Sequence, residues 1–319
     1  MAQVSFNEEQ APSIQREPIA AEQPITEQSV ETAIANEEKT ATPKENIVGL
    51  SAEELNDYNK ISVTIADKDA PIVVLFGPPA CGKTMTLVCL TRFLSENGYS
   101  ITPVRTFRPT HDTNYSDLCD NFDTMINQDD AAQSTDRISF MLVKVSKKGR
   151  TICQLLEAPG EFYFNPKVPN APFPRFFNAI KASKCRKIWS IMVEPDWGNE
   201  SDRLNYVNRI KKLRTLMTTK DKSILVYNKI DKTEFLIDGS GHAHMGPAIK
   251  NVRDLYPGIF ELFKNTTPII NLFSPYNCDF TIFQTGDYSI ANDGTSVFQQ
   301  GPDVFPHRLW KIIEKHVKG

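Results

Sequence analysis

The stretch GPPACGKT, residues 77–84, decides the fold expected for this chain of 319 residues. It directly follows the apolar run PIVVLF at 71–76 and precedes a segment, 83–97, whose apolar spacing predicts a helix. Glycines at both ends of the loop let the backbone curl so that several amide groups point inward, and the following helix adds partial positive charge. A strand, a glycine-rich loop and a helix in this order predict a phosphate-binding loop rather than an accidental turn.

Within this loop, different residues are expected to do different chemistry. Lys83 is predicted to reach the β- and γ-phosphates of a nucleotide, and Thr84 to ligate Mg²⁺ through its hydroxyl group. The backbone of the whole loop and of the first helical turn is predicted to surround the phosphates. The predicted phosphate-binding residues are Gly77, Pro78, Pro79, Ala80, Cys81, Gly82, Lys83, Thr84 and Met85.

A second motif, NKID at 228–231, indicates which base is bound. It stands at the end of a predicted strand, at the edge of the sheet where open α/β sheets bind their ligands. Asp231 can accept two hydrogen bonds from N1 and the exocyclic amine of guanine, a donor pair that adenine lacks. Asn228 is expected to hold the loop and the base edge, and the aliphatic stem of Lys229 to cover the ring plane. Four residues alone are a weak signal, but their position favours a guanine nucleotide over a solvated turn.

Through GPPACGKT and NKID, residues 70–317 resemble the P-loop GTPases of the Ras-like and translation-factor class. The resemblance implies binding of GTP, GDP and Mg²⁺, and hydrolysis of GTP to GDP. The segment EAPG at 157–160 takes the place of the family's Asp-x-x-Gly. Glu157 is therefore expected to reach Mg²⁺, with a carboxylate one methylene longer than the family's, and the amide of Gly160 to sense the γ-phosphate.

The family's first switch supplies a threonine that closes on Mg²⁺ and the γ-phosphate just before the second strand. Thr135 matches that place best, three residues before the predicted strand ISFMLVKV at 138–145. The segment 100–137 is much longer than the family's compact switch, so three other threonines stay open as alternatives. They are Thr106, Thr110 and Thr113.

Two further positions depart from the family's pattern. Glu161 stands where many relatives carry a glutamine that orients the attacking water, and its charge beside the γ-phosphate predicts slow unaided hydrolysis. Ser274 takes the place of the family's Ser-Ala-Lys against the guanine oxygen, although Ser-Pro-Tyr replaces that sequence here. The residues predicted to act in catalysis are Lys83, Thr135, Gly160 and Glu161, and those predicted to hold the metal are Thr84, Thr135 and Glu157.

Apolar runs that alternate with amphipathic stretches predict a three-layer α/β fold with a mostly parallel six-stranded sheet. Only SKKGR separates the second run from the third, which predicts one antiparallel strand. The predicted strands are 71–76, 138–145, 151–157, 187–194, 223–228 and 268–273. The predicted helices are 83–97, 173–184, 200–219, 247–264 and 304–317.

Composition indicates how the chain is divided. The first 60 residues carry twelve acidic and four basic side chains, and no aromatic residue stands between Asn7 and Asp57. Such a segment buries too little apolar surface to fold, which predicts a disordered acidic tail over 1–45. A nucleotide-binding domain is predicted over 70–319, with an insertion at 274–303 that forms a hairpin or a lid.

Between the tail and the domain, residues 46–69 are predicted to form a short helix and a linker. Ser51 and Glu54 have the spacing of a capping box, which marks the start of the helix. This segment is expected either to pack on the domain or to serve as an independent docking segment.

Composition also bears on compartment and partners. The net charge of −3 gives no indication of nucleic-acid binding, and the six cysteines lack the spacing of a metal or disulfide framework. The chain has neither a signal peptide nor about 18 consecutive apolar residues, so a cytoplasmic protein without stable membrane insertion is predicted. An unidentified protein effector or activator is the expected partner, and the oligomeric state stays open.

The leading interpretation is a molecular switch that hydrolyses GTP slowly. The long segment 100–137, Glu157 and Glu161 resemble a divergent bacterial branch, the double-GTPase group. Two alternatives stay open. A pseudo-GTPase scaffold would bind nucleotide structurally without turnover, and the two glutamates favour it. An ATP-dependent kinase-type enzyme is the other alternative, and NKID argues against it.

Overall fold

A seven-stranded sheet forms the centre of the chain in the computed structural model, which describes residues 50–127, 140–265, 275–290 and 296–318. In chain order its strands are β1 (Ile72–Phe76), β2 (Ser100–Pro103), β3 (Met141–Lys147), β4 (Arg150–Glu157), β5 (Lys187–Val193), β6 (Lys222–Tyr227) and β7 (Asp279–Ile282). Their order across the sheet is β2-β3-β4-β1-β5-β6-β7. All described residues belong to the compact unit Asn46–Gly319.

The predicted mainly parallel sheet with one antiparallel strand is confirmed, because β3 alone among the seven described strands runs against its neighbours. Lys148 and Gly149 join β3 to β4 with positive φ angles of 50° and 75°, as a tight hairpin turn requires. The central strands β1 and β5 are buried along their whole length. Burial on both faces is the expected consequence of helices covering a parallel sheet.

Helices cover the sheet, and a two-stranded hairpin lies near the C-terminus. The helices are α1 (Ala52–Asn56), α2 (Lys83–Glu96), α3 (Thr113–Asp120), α4 (Phe122–Asn127), α5 (Gly160–Tyr163), α6 (Arg175–Ala182), α7 (Glu200–Leu216), α8 (Met245–Leu255) and α9 (Val304–Lys318). The hairpin consists of β8 (Gly286–Ile290) and β9 (Ser296–Gln300). No helix within the described ranges is both long and apolar enough to cross a lipid bilayer.

Within the described residues the sheet has seven strands, whereas six strands were predicted for the whole chain. β2 was missed because SITP is short and only one of its residues is buried. β7 lies inside the segment 274–303, which was interpreted as an insertion that forms a hairpin or a lid, and β8 and β9 pair antiparallel in the same segment. The predicted strand 268–273 and the predicted tail 1–45 lie outside the described residues.

The helix predicted over 247–264 was too long. The observed helix α8 ends at Leu255, and Tyr256 has non-helical backbone angles, with φ of −124° and ψ of 71°. Pro257 follows, and a proline ring pushes the preceding residue out of the helical region. The proline therefore explains the boundary that the apolar spacing had concealed.

The N-terminal segment, defined here as residues 50–65, packs on the domain. Its capping box at Ser51 and Glu54 is present, as predicted from the sequence. Leu50, Ile61 and Ile65 are buried in the same hydrophobic core as the sheet. This segment is therefore part of the folded unit and not an independent docking arm.

The side chain of Arg108 holds this N-terminal segment against the rest of the domain. Its guanidinium group is buried and donates two hydrogen bonds to the carboxylate of Glu54, at 2.6 and 2.7 Å. It also donates to Asp112 at 2.9 Å and to the backbone oxygen of Ser62 at 2.8 Å. A buried charge is tolerated only when its donors are satisfied, as they are here.

Candidate nucleotide-binding site

The candidate site lies along one edge of the sheet. Strands β4, β1, β5, β6 and β7 are parallel neighbours in this order, so their carboxyl ends meet at that edge. Chain connections diverge on either side of β1, and a crevice opens at such a point in α/β sheets. The segments that follow these strands bring together the phosphate loop (residues 77–84), Glu157, Glu194, NKID (228–231) and the loop of residues 283–285.

The phosphate loop is strained and closely packed. Ala80 and Gly82 have positive φ angles of 59° and 84°. A Cβ atom on Gly82 would lie 2.3 Å from Nδ2 of Asn228, and one on Gly77 would lie 2.5 Å from Sγ of Cys81. A side chain at either glycine would therefore meet a close neighbour, and the positive φ angle of Gly82 also favours glycine there.

Lys83 and Thr84 begin helix α2 at the floor of the loop. Lys83 is only 5% exposed, and its ammonium group donates a hydrogen bond of 2.9 Å to the backbone oxygen of Pro78. The amine thus lies inside the curl of the loop. Met85 follows and is buried in the core.

Glu157 is the last residue of β4 and borders the site next to Thr84. Its Oε1 accepts a hydrogen bond of 3.0 Å from the hydroxyl group of Thr84, whereas its buried Oε2 has no hydrogen-bond partner among the described residues. Burial raises the pKa of this carboxyl group to about 8, against the opposing effects of Lys83 and Thr84. A desolvated carboxyl oxygen without a partner is a fitting ligand for a hard divalent cation.

Gly160 brings the EAPG segment directly against the phosphate loop. A Cβ atom at this position would lie 2.2 Å from the nitrogen of Pro79 and 2.4 Å from the carbonyl carbon of Pro78. Only glycine allows two main chains to approach this closely. Glu161 follows as the second residue of α5 and is half-buried. The burial of Tyr58 raises the pKa of its hydroxyl group, and the negative charge of Glu161 raises it further.

NKID meets the phosphate loop from the other side. Asn228 is fully buried, and its Nδ2 donates a hydrogen bond of 2.9 Å to the backbone oxygen of Cys81. Lys229 has a left-handed backbone, and its ammonium group donates to the backbone oxygen of Ala80 at 3.0 Å. Asp231 lies exposed in the 3-10 helix Ile230–Lys232 at the mouth of the site.

Two features of the site were missed in the sequence. Glu194 directly follows β5 and forms an ion pair with Lys229, but no local motif marks it. The loop after β7 was hidden in the predicted insertion. The amide of Ile230 donates to the oxygen of Phe283 at 3.2 Å, and Thr285 lies 4.0 Å from the Cβ position of Gly82. This loop therefore borders the base site.

The structure does not test the remaining predicted site residues. Thr135 and Ser274 lie outside the described residues. Three strand positions separate β2 from β1, or about 14 Å at the usual strand spacing. The alternative threonines that follow β2 are all exposed; they are Thr106, Thr110 and Thr113.

Comparisons with known proteins give only distant similarity. No protein-family model matches the chain. No curated protein matches it either. A nucleolar GTP-binding protein 1 from Plasmodium falciparum is 12% identical, with a TM-score of 0.41 over 81% of this chain and 90% of that chain. Roco2 RocCORdC of Methanosarcina barkeri, bound to GDP, is 10% identical, with a TM-score of 0.30 over 81% of this chain and 53% of that chain. At these identities and TM-scores neither structure assigns a function to this chain.

Proposed function

We propose that this protein is a guanine-nucleotide-binding molecular switch that hydrolyses GTP to GDP slowly with Mg²⁺. One observation carries the proposal: hydrogen bonds join NKID directly to the phosphate loop. Asn228 donates to Cys81 and Lys229 donates to Ala80, so the loop predicted to read the base is fastened to the loop predicted to hold the phosphates. If both motifs were incidental turns, there would be no reason to expect hydrogen bonds between them.

Mg²⁺ would be held by Thr84 and Glu157. The residues fit the ion, because their oxygens are 3.0 Å apart and the second carboxyl oxygen of Glu157 is buried without a partner in the described residues. When bound, the cation would neutralise charge on the β- and γ-phosphates. Lys83 would add a fixed positive charge from inside the loop, where it is shielded from water.

Hydrolysis would depend on α5. The backbone of Gly160 lies directly against Pro78 and Pro79, so a γ-phosphate held by the phosphate loop would be close to the start of α5. Glu161 can accept a hydrogen bond from the attacking water, but its negative charge opposes the charge that develops on the phosphate. We therefore infer a slow intrinsic rate and a protein activator or effector in the cytoplasm.

A pseudo-GTPase scaffold is the second candidate, and the state of Glu157 favours it. With a pKa raised to about 8 by burial, this carboxyl group holds a proton at neutral pH until a cation displaces it. A protein that never recruits Mg²⁺ would bind nucleotide and not turn it over. Single-turnover hydrolysis with and without Mg²⁺ separates the two candidates.

Base selectivity is the experiment that tests the proposal. Asp231→Asn places an amide donor against the two donors of guanine, so GTP affinity is expected to fall by about 2 kcal/mol or more. Xanthine carries an oxygen in place of the guanine amine, so the variant should gain relative preference for xanthosine triphosphate. Competition titrations of wild type and variant against GTP, ATP and xanthosine triphosphate measure both effects.

Glu234→Gln is a matched control, because Glu234 is an exposed acid three residues further along the same loop. It should leave all three affinities unchanged. A wild-type chain that prefers ATP, or an Asp231→Asn variant that keeps full selectivity for GTP, would contradict the proposal.

A further inference from the structure

The ammonium group of Lys229 is held between two oxygens from different parts of the chain. The backbone oxygen of Ala80 accepts a hydrogen bond from it at 3.0 Å, and the carboxylate of Glu194 forms an ion pair with it. The side chain of Glu194 is only 5% exposed, whereas that of Lys229 is 25% exposed. The carboxylate of Glu194 is thus buried, whereas the ammonium group of Lys229 is partly exposed at the site.

Glu194 is itself fixed on two sides. It directly follows β5, the strand between β1 and β6, and therefore stands between the phosphate loop and NKID. The hydroxyl group of Tyr256 donates to the backbone oxygen of Glu194 at 2.9 Å and accepts from its amide at 3.3 Å. Burial raises the pKa of this carboxyl group, and the charge of Lys229 acts in the opposite direction.

A lysine without such an anchor would distribute its long side chain over many rotamers, and ordering it on a ligand would cost conformational entropy. Here the left-handed backbone of Lys229 and the two oxygen partners fix both ends of the side chain. The four-carbon stem of Lys229 is then held in one conformation at the edge of the site before a ligand binds.

We propose that Glu194 is a positioning residue that fixes Lys229, so that the lysine stem forms a preorganised cover over the purine ring. The inference rests on the proposed function, since it concerns the same nucleotide. A cover over the ring face acts on every purine alike. Glu194 should therefore set the affinity of the site without changing its preference among base edges, which belongs to Asp231.

A double-mutant cycle tests this role. The variants are Glu194→Gln, Lys229→Met and the double variant, and calorimetric titration with GDP and inosine diphosphate measures affinity. Removing the buried charge partner is expected to weaken both nucleotides about tenfold, with the ratio between them unchanged. In the Lys229→Met background, Glu194→Gln should cost little more, because the group that it positions is already absent.

Asp196→Asn is the matched control, since Asp196 is an exposed acid two residues from Glu194 and its change removes the same charge. It should leave both affinities unchanged. If Glu194→Gln behaves like this control, or if the two substitutions act additively in the cycle, the positioning role is overturned. A wild-type chain that binds neither nucleotide overturns the proposed function instead.

Tyr256→Phe is a second variant that reaches Glu194 without altering a buried charge. It removes the hydroxyl group that holds the backbone of Glu194 and keeps the ring in the core. The expected result is a smaller loss of affinity for both nucleotides, which disappears in the Lys229→Met background. A loss that persists there would also overturn the inference, even if Glu194→Gln failed to fold.

Discussion

At the residue scale, the carboxyl group of Glu157 is expected to affect stability and Mg²⁺ binding in opposite ways. Its protonated form stabilises the folded chain, whereas its charged form would bind the cation. Glu157 is 1% exposed, it has one hydrogen bond, and its pKa is raised by burial to about 8 from 4.5. The folded protein therefore keeps a proton that the unfolded chain loses between these two pH values. The stability that this proton confers is fully present below about pH 4.5 and is lost as the pH rises through about 8.

Glu157→Gln removes this titration while keeping an oxygen for Thr84. Without nucleotide and Mg²⁺, the variant is expected to gain stability relative to wild type as the pH rises from about 5 to about 9. Its Mg²⁺-dependent nucleotide affinity should fall, because an amide is a poorer ligand for the cation. Denaturant unfolding at both pH values, with nucleotide titration, measures the two effects. A stability difference that does not vary with pH would contradict the buried state of this carboxyl group.

At the scale of the elements, α5 and the residue that follows it are packed in the hydrophobic core. A loop that moves freely between two states would not be buried to this extent. Phe162, Tyr163 and Phe164 are each at most 1% exposed. Arg209 on α7 donates to the backbone oxygens of Tyr163 and Ala171, and burial lowers its pKa to about 10. Movement at the start of this segment would change its close contact with the phosphate loop.

Gly160→Ala tests that end of α5. A methyl group there meets backbone atoms of Pro78 and Pro79, and relieving such overpacking costs about 1–3 kcal/mol. We expect the two loops to be forced apart and nucleotide affinity to fall by a comparable free energy. Gly239→Ala is the control, because nothing lies within 4 Å of its Cβ position. Equal affinities for both variants would show that contact between the loops does not matter for binding.

Paired truncations test the N-terminal segment as an element. Deletion of residues 1–45 is expected to leave the melting temperature nearly unchanged, since its composition predicts no packed core. Deletion of residues 1–65 should cost several kcal/mol, because apolar side chains such as Leu50 contribute about 1.5–3 kcal/mol each. It would also leave Arg108 without Glu54 in a buried position. Equal melting temperatures for the two truncations would contradict this packing.

At the scale of the whole molecule, a ring contact connects the site to the N-terminal segment. Tyr58 lies with its ring centroid 4.4 Å from that of Phe162 in α5. If a bound γ-phosphate moved the start of α5, the packing of Tyr58 against Phe162 would therefore change. This contact offers a physical path from the candidate nucleotide site to the part of the chain that the acidic tail precedes.

Hydrogen exchange tests the molecule as a switch. Residues 100–137 and 160–172 are expected to change protection between GDP and a non-hydrolysable GTP analogue, because a γ-phosphate orders only what it contacts. The contact with Phe162 adds Tyr58 and its neighbours to the segments expected to change. Identical exchange in both states would favour the structural scaffold.

The sequence alone determined the features that depend on neighbours along the chain. Gly77 and Gly82 at fixed spacing predicted the loop, and the alternation of apolar runs predicted a mainly parallel sheet with one antiparallel strand. Ser51 and Glu54 predicted a helix start that is present. These signals are local because backbone curvature, helix capping and strand patterning are each decided within a few residues.

Only the tertiary structure decided the contacts between distant segments. Glu194 reaches Lys229 across two neighbouring strands, and Arg108 reaches Glu54 over 54 positions of the chain. β7 is a strand because β6 offers it a partner, although its own sequence reads as part of an insertion. The pairing of buried charges and the pairing of strand edges both depend on what the rest of the chain places alongside, and no local pattern records that.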